Sequence, residues 1–144
     1  MNIIICGING AMGTALKQEV QNYDDINVIG SLSPIKGNYG QDIKEIADVI
    51  IDFSNPSNLN FLIDYAKKTK CALLICTTGF TKEQESKMVN AGNSIPVLIS
   101  SNTSFGINVL RKILKSISAE LNDFDINIVE KHHNKKKEIG RAHV

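Results

Sequence analysis

The chain has 144 residues, of which 42% are hydrophobic and 22% charged, and its formal net charge is +1 at pH 7. This composition argues against a disordered protein, and the near-neutral charge gives no reason to expect a nucleic-acid partner. No apolar stretch reaches the ~20 residues that a membrane span needs, and no signal-peptide pattern precedes the first apolar run. The three cysteines form no C-x-x-C pair, so we expect a cytoplasmic protein with reduced thiols and no membrane partner.

The functional prediction depends on the first thirteen residues. An apolar run at residues 2–6 predicts a buried strand, and a helical pattern follows at residues 11–22. Between them, Gly7, Gly10 and Gly13 are spaced G-x-x-G-x-x-G. A glycine turn between a strand and a helix brings backbone amides close to a phosphate, which favours a nucleotide site. The spacing differs from G-x-G-x-x-G, and a plain strand–helix turn is the alternative.

Strands and helices then alternate along the chain. Strands are predicted at residues 26–29, where Gly30 ends the strand, and at 49–53, 72–76, 96–100 and 126–130. Helices are predicted from Pro56 to about Lys68, at 82–90 and at 105–121, with a loop at 31–40 and a short helical turn at 43–47. The alternation predicts an α/β fold, a Rossmann-like, doubly wound parallel sheet with helices on both faces.

Ligands of such sheets lie beyond the carboxyl ends of the strands, and four polar motifs follow predicted strands. They are residues 7–13, 52–54, 77–79 and 100–103. The small hydroxyl side chains of Thr77 and Thr78 could bind a nicotinamide ring, or they could simply cap a helix. No acidic residue follows the second strand to bind a ribose, and Lys36 is either a 2′-phosphate ligand or a solvated lysine. The choice between NAD and NADP therefore stays open.

A basic motif near the carboxyl end carries the richest chemistry. His132, His133 and Lys136 lie within five residues, and such groups can bind an anion and supply a proton near neutral pH. A zinc site is less well supported because no third ligand has standard spacing. A solvated basic turn is the remaining alternative.

Together these motifs resemble the 4-hydroxy-tetrahydrodipicolinate reductase (dihydrodipicolinate reductase) family of lysine and diaminopimelate biosynthesis. The matching segments, in the family's order, are residues 7–13, 49–54, 76–79, 101–108 and 130–136. The resemblance implies a dinucleotide-binding domain at 1–104 and the start of a second, α+β domain for substrate binding and oligomerisation at 105–138. It implies an enzyme that reduces a cyclic small-molecule dicarboxylate with NADH or NADPH, and full-length members that are homotetramers.

The resemblance also assigns roles to residues. His132 would donate the proton, Lys136 would act as a second acid, and His133 would bind a substrate carboxylate, with no metal required. Cofactor-binding positions implied at the glycine turn are Gly7, Ile8, Asn9, Gly10, Ala11 and Met12. Those implied around the nicotinamide are Cys76, Thr77, Thr78, Ser100, Ser101, Asn102 and Thr103.

Two departures from the family pattern bear on these expectations. Ala11 stands where the family commonly has an arginine that assists the cofactor phosphates. After Lys137 the family continues with Asp-Ala-Pro-Ser-Gly-Thr, whereas this chain reads Glu-Ile-Gly-Arg-Ala-His-Val. We therefore expect a shortened substrate domain, a non-native tail at 139–144 and impaired turnover. The alternative function is a non-catalytic nucleotide-binding module whose basic tail binds an anionic partner.

Overall fold

The computed structural model describes residues 1–100, 104–125, 127 and 129, and the chain divides into two compact units, Met1–Ser101 and Asn102–Val144. The first unit is built on one sheet of five parallel strands in the order β2-β1-β3-β4-β5. The strands are β1 (Asn2–Cys6), β2 (Asn27–Leu32), β3 (Val49–Asp52), β4 (Ala72–Ile75) and β5 (Val97–Ile99). The predicted Rossmann-like parallel α/β sheet is confirmed.

β1 is an interior strand of the sheet, and its residues Ile3 to Cys6 are all buried. It is a continuous apolar run because helices cover both faces of a parallel sheet. β1 pairs with β2 on one side and with β3 on the other, with Cys6 opposite Asp52. The chain thus moves outward from β1 in opposite directions, and the point between β1 and β3 is where such sheets form a crevice for ligands.

Four α-helices are described: α1 (Ala11–Val20), α2 (Leu59–Thr69), α3 (Lys82–Ala91) and α4 (Phe105–Ile117). Short 3₁₀ turns occupy Pro34–Lys36, Pro56–Asn58 and Ser118–Leu121. The larger apolar core packs α2 and α3 against one face of the sheet, and a smaller one, which includes Ile3, Ile5 and Val20, packs α1 against the other. The start of α3 carries the predicted cap, because the Thr81 side chain accepts from the Gln84 amide at 3.2 Å in a capping box.

Two predictions of local structure are wrong. β2 does not end at Gly30 but continues to Leu32, because the missing side chain of Gly30 makes room for Ile43 rather than for a turn. A Cβ atom at Gly30 would lie 2.6 Å from the Ile43 side chain. Residues 43–47 form no helical turn, and Ala47 is buried from an irregular segment instead. The predicted strand at 126–130 lies outside the described residues.

The described part of the second unit is mainly α4, which begins at a Ser104 cap. The Ser104 hydroxyl accepts a 3.4 Å hydrogen bond from the Ile107 amide. The predicted helix at 105–121 is α-helical to Ile117 and ends as a 3₁₀ turn. Within the described residues, no helix combines the length and apolarity needed to cross a bilayer.

Candidate functional site

A cavity of about 380 Å³ lies beyond the carboxyl ends of β1, β2 and β3, where the chain direction switches. It is lined by Gly7, Ile8, Asn9, Gly10, Ser31, Ser33, Ile35, Lys36, Asn38, Ser54, Asn55 and Asn58. The first four of these residues were predicted to bind a cofactor. The sequence pattern and the sheet topology therefore point to the same edge of the fold.

The glycine turn after β1 is shaped by close backbone packing. Gly7 has φ = +84°, and a Cβ atom there would lie 2.3 Å from the carbonyl oxygen of Phe53. A Cβ atom at Gly13 would lie 2.2 Å from the carbonyl oxygen of Gly7. Both positions exclude a side chain, so the turn can lie flat between the end of β3 and the start of α1.

The amino end of α1 closes this side of the cavity. Gly10 is its N-cap, with no side-chain cap within the described part of the chain, and its own amide donates to the Gly7 carbonyl oxygen at 2.9 Å. The first-turn amides of a helix carry partial positive charge, so this end favours an anion. Ala11 and Met12 begin the helix, although neither lines the cavity. The turn fits a dinucleotide diphosphate, since Gly7 and Gly10 line the cavity without side chains beside the amino end of α1.

The turn after β2 forms the opposite wall, and the sequence did not identify most of it. Asn38 braces this turn: its side-chain amide donates to the Ser31 carbonyl oxygen at 3.0 Å and to the Ser31 hydroxyl at 3.3 Å. Its side-chain oxygen accepts from the Gly40 amide at 3.0 Å. The alternation of Ser31 and Ser33 around buried Leu32 was the available signal, but it was hidden when the strand was ended at Ile29.

The charge of the cavity is set by Lys36. Among the lining residues in the described ranges, Lys36 is the one charged side chain and no carboxylate is present. Lys36 is exposed, and its neighbours Ser31 and Ser33 carry hydroxyl groups. This wall therefore offers hydrogen-bond donors and one cation, which suits a phosphate better than a neutral ribose diol.

The residues predicted around the nicotinamide lie next along the same sheet edge. The hydroxyl of Thr77, after β4, accepts from the Ser54 amide at 2.7 Å, and the Ser100 amide, after β5, donates to the Ile75 carbonyl oxygen at 2.9 Å. Cys76 and Thr77 are buried, and burial raises the pKa of the Cys76 thiol, with nearby Asp52 adding to the effect. Cys76, Thr77, Thr78 and Ser100 do not line the 380 Å³ cavity.

Ser101, Asn102 and Thr103, and the basic motif with His132, His133 and Lys136, lie outside the described residues. Within residues 1–100, 104–125, 127 and 129, no group of three or more histidine, cysteine or acidic side chains could hold a metal ion.

The chain is similar in sequence to one family of known proteins. The family model described as dihydrodipicolinate reductase, N-terminus, matches residues 1–103. A 4-hydroxy-tetrahydrodipicolinate reductase of Clostridium novyi is 38% identical over 143 residues, covering 93% of this chain and 57% of the relative. The Campylobacter lari reductase of the same name is 39% identical over 138 residues, covering 96% and 56%. The chain thus spans little more than half the length of these curated relatives.

A solved structure shows the same fold. The chain aligns with dipicolinate-bound dihydrodipicolinate reductase from Paenisporosarcina sp. TG-14 at a TM-score of 0.66 and 18% identity, covering 83% of this chain and 54% of that one. The family model spans the glycine turn, both walls of the cavity and all five strands. With that match over residues 1–103, the chain belongs to the dihydrodipicolinate reductase family.

Proposed function

We propose that this chain provides the dinucleotide-binding part of a 4-hydroxy-tetrahydrodipicolinate reductase, and that it binds NADPH in preference to NADH. The observation that carries the proposal is the cavity at the switch point between β1 and β3, with a glycine turn on one wall and Lys36 on the other. A dinucleotide is an extended anion, and each wall suits one of its phosphate groups.

The diphosphate is assigned to the glycine turn and the amino end of α1. Gly7 and Gly10 bring backbone close to the ligand, and the side chain of Asn9 is available at the tip of the turn. Ala11 and Met12 supply first-turn amides, so the arginine that is absent at Ala11 is not required for this contact.

The 2′-phosphate of NADPH is assigned to the wall formed by Ser31, Ser33 and Lys36. Asn38 already donates to the Ser31 hydroxyl, so the proton of that hydroxyl remains free to donate to a phosphate oxygen. A carboxylate that would accept from a ribose 2′-hydroxyl is absent from the described lining. Ile35, exposed beside Lys36, offers an apolar surface for the adenine ring.

The nicotinamide is assigned to the exits of β4 and β5. The residues that would lie beside the nicotinamide ring are Cys76, Thr77, Thr78, Ser100, Ser101, Asn102 and Thr103. Thr77 is held against the exit of β3 by its bond from Ser54, so a ring beside it would be continuous with the diphosphate site.

The reaction is the reduction of a cyclic, unsaturated dicarboxylate, with NADPH supplying the hydride when bound. His132 would donate the proton to the carbon next to the one reduced, and Lys136 would assist loss of the hydroxyl group. His133 would bind a substrate carboxylate. A cationic pocket of this kind stabilises the negative charge that develops as the hydride arrives.

Parallel titration with NADPH and NADH tests the binding proposal. We expect NADPH to bind at least tenfold more tightly, because one phosphate–lysine contact is worth about 1.5–3 kcal/mol. Lys36→Glu should abolish or reverse this preference, whereas Lys44→Glu, with the same charge change on an exposed loop residue away from the cavity, should leave it intact. Equal affinities in the unmodified chain would contradict the NADPH assignment, and no binding of either would contradict the function.

A chimera tests the catalytic assignment. Residues 1–137 joined to the remaining length of a full-length relative should oxidise NADPH in the presence of 4-hydroxy-tetrahydrodipicolinate. His132→Ala should lower kcat by about 10²-fold or more while the Kd for NADPH stays within twofold. An unchanged kcat would favour the alternative, a nucleotide-binding module whose basic tail binds an anion without catalysis.

A further inference from the structure

A buried polar cluster lies directly behind the cavity wall. Asp52, Asn58 and Thr77 are the buried polar side chains of the described residues, with exposures of 1%, 3% and 7%. Asp52 is the last residue of β3, and it does not line the cavity. A carboxyl group in this position requires an explanation, because burial of an unpaired charge is strongly unfavourable.

The hydroxyl of Ser54 connects this cluster to the cavity. It accepts from the Cys6 thiol at 3.3 Å and from the Asn58 side-chain amide at 2.9 Å, and it donates to Asp52 Oδ1 at 2.5 Å. Ser54 and Asn58 both line the cavity. Asp52 is therefore one hydrogen bond away from a residue that lines the cavity.

The hydrogen-bond inventory leaves Asp52 incompletely satisfied. The single hydroxyl proton of Ser54 goes to Oδ1, and within the described residues neither Asp52 Oδ2 nor Asn58 Oδ1 has a hydrogen-bond partner. These two oxygens are acceptors that need a donor. A proton on the Asp52 carboxyl group would supply a donor, and it would also remove the buried charge.

Within the described residues, no cation compensates the charge of Asp52. The titratable groups that face it in this part of the chain are Cys6 on β1 and Cys76 after β4, and both would be negative if ionised. The groups contributed by the other packed segments, Ser54, Asn58 and Thr77, are neutral. Burial raises the pKa of Asp52, and the hydrogen bond from the Ser54 hydroxyl opposes this rise only in part.

We propose that Asp52 is a positioning residue that supports anion binding in the cavity only while its carboxyl group is protonated. The neutral acid holds Ser54 and the adjoining glycine turn without placing charge behind the wall. The carboxylate would repel the phosphates through a poorly screened interior. The inference rests on the proposed function, because the anion is taken to be the dinucleotide.

The test compares the pH dependence of binding in matched variants. Kd for NADPH is measured from pH 5.5 to 9 for the unmodified chain, for Asp52→Asn and for Asp64→Asn, an exposed aspartate of α2. Dividing the Kd of the unmodified chain by that of Asp52→Asn at each pH cancels the titration of the ligand. This ratio should rise at least tenfold with pH, and Asp64→Asn should follow the unmodified chain. A ratio that stays constant, or binding that is weakened more than tenfold by Asp52→Asn at every pH, would overturn the proposal.

Proton uptake provides a second measurement that does not depend on a variant folding. Titration with NADH, which has no 2′-phosphate to titrate, is carried out in buffers of different ionisation enthalpy. We expect the unmodified chain to take up a fraction of a proton on binding at some pH between 5.5 and 9, because a bound anion favours the protonated acid. No uptake across this range would overturn the role of Asp52. If no form of the chain binds either nucleotide, the proposed function fails, and the role of Asp52 fails with it.

Discussion

The backbone amide of Ser54 donates a 2.7 Å hydrogen bond to the side-chain hydroxyl of Thr77. Ser54 lies two residues beyond the end of β3, and Thr77 lies two residues beyond the end of β4. The bond therefore joins the loop that lines the cavity to the loop assigned to the nicotinamide. Backbone amides that are buried require such partners, and here the partner comes from a neighbouring strand rather than from the sheet ladder.

Thr77→Val removes this acceptor while keeping the shape of the side chain. We expect the free energy of unfolding to fall by about 2 kcal/mol, because the Ser54 amide would be left without a partner. Urea unfolding measures the loss. Thr77→Ser, which keeps the hydroxyl, is the matched control and should be less destabilising than Thr77→Val. Equal stability of the valine and serine variants would show that the bond contributes nothing.

A second prediction concerns the glycine turn. Gly13→Ala should destabilise the chain by at least about 2 kcal/mol, because its Cβ atom would lie 2.2 Å from the Gly7 carbonyl oxygen and the backbone would have to move. Gly10→Ala, whose Cβ atom would lie 3.2 Å from the same oxygen, should cost less than about 1 kcal/mol. Thermal unfolding of both variants compares the two costs. Similar losses would mean that the turn is not held by this close packing.

The element types of the first hundred residues could be predicted from the sequence because each buried strand is a short apolar run with a polar or glycine boundary. β1 and the start of α1 agree with the prediction to the residue. The end of β2 was predicted wrongly at Gly30, because a glycine that makes room for Ile43 cannot be distinguished in the sequence from a glycine that ends a strand. Distinguishing the two requires the position of a residue thirteen places further on, which periodicity cannot provide.

Only part of the candidate site could be predicted, because only part of it forms a recognisable motif in the sequence. The glycine turn carries its own signal, so Gly7 to Gly10 were identified. The wall opposite depends on where β2 ends and on the turn that Asn38 braces, and both follow from tertiary packing. Lys36 was recognised as a possible phosphate ligand, but only the cavity shows that no described carboxylate competes with it.

The buried thiol of Cys6 gives a prediction about alkaline pH. Burial raises the pKa of this thiol from 9.0 to about 12; the hydrogen bond to Ser54 opposes the rise, and nearby Asp52 adds to it. The unfolded chain therefore releases this proton above pH 9 while the folded chain retains it. The free energy of unfolding should fall as pH rises from 9, by up to about 1.4 kcal/mol per pH unit from this group.

Unfolding in urea at pH 8, 9 and 10 measures this dependence in the unmodified chain and in Cys6→Ala. Other groups titrate in the same range in both proteins, so the difference between the two slopes isolates Cys6. We expect the slope to be steeper in the unmodified chain. Parallel pH profiles would contradict the raised pKa of the thiol.

The last prediction separates a charged contact from a shape contact at Lys36. Lys36 is exposed, so its attraction for a 2′-phosphate is screened by salt: the Debye length falls from about 10 Å at 0.1 M to about 3 Å at 1 M. The affinity ratio of NADPH to NADH should therefore fall as the salt concentration rises from about 0.02 M to about 1 M, a range that includes both of these Debye lengths. The common parts of the two ligands cancel in this ratio.

Lys36→Gln is the control, because it removes the charge but keeps a long polar side chain beside Ser33. Its NADPH-to-NADH ratio should be lower than that of the unmodified chain at low salt and should depend less on salt. The two proteins should converge at high salt, where the charge no longer contributes. A ratio that is independent of salt in the unmodified chain would mean that NADPH is selected by the hydroxyl groups of the β2 turn, and Lys36 would be a solvated lysine after all.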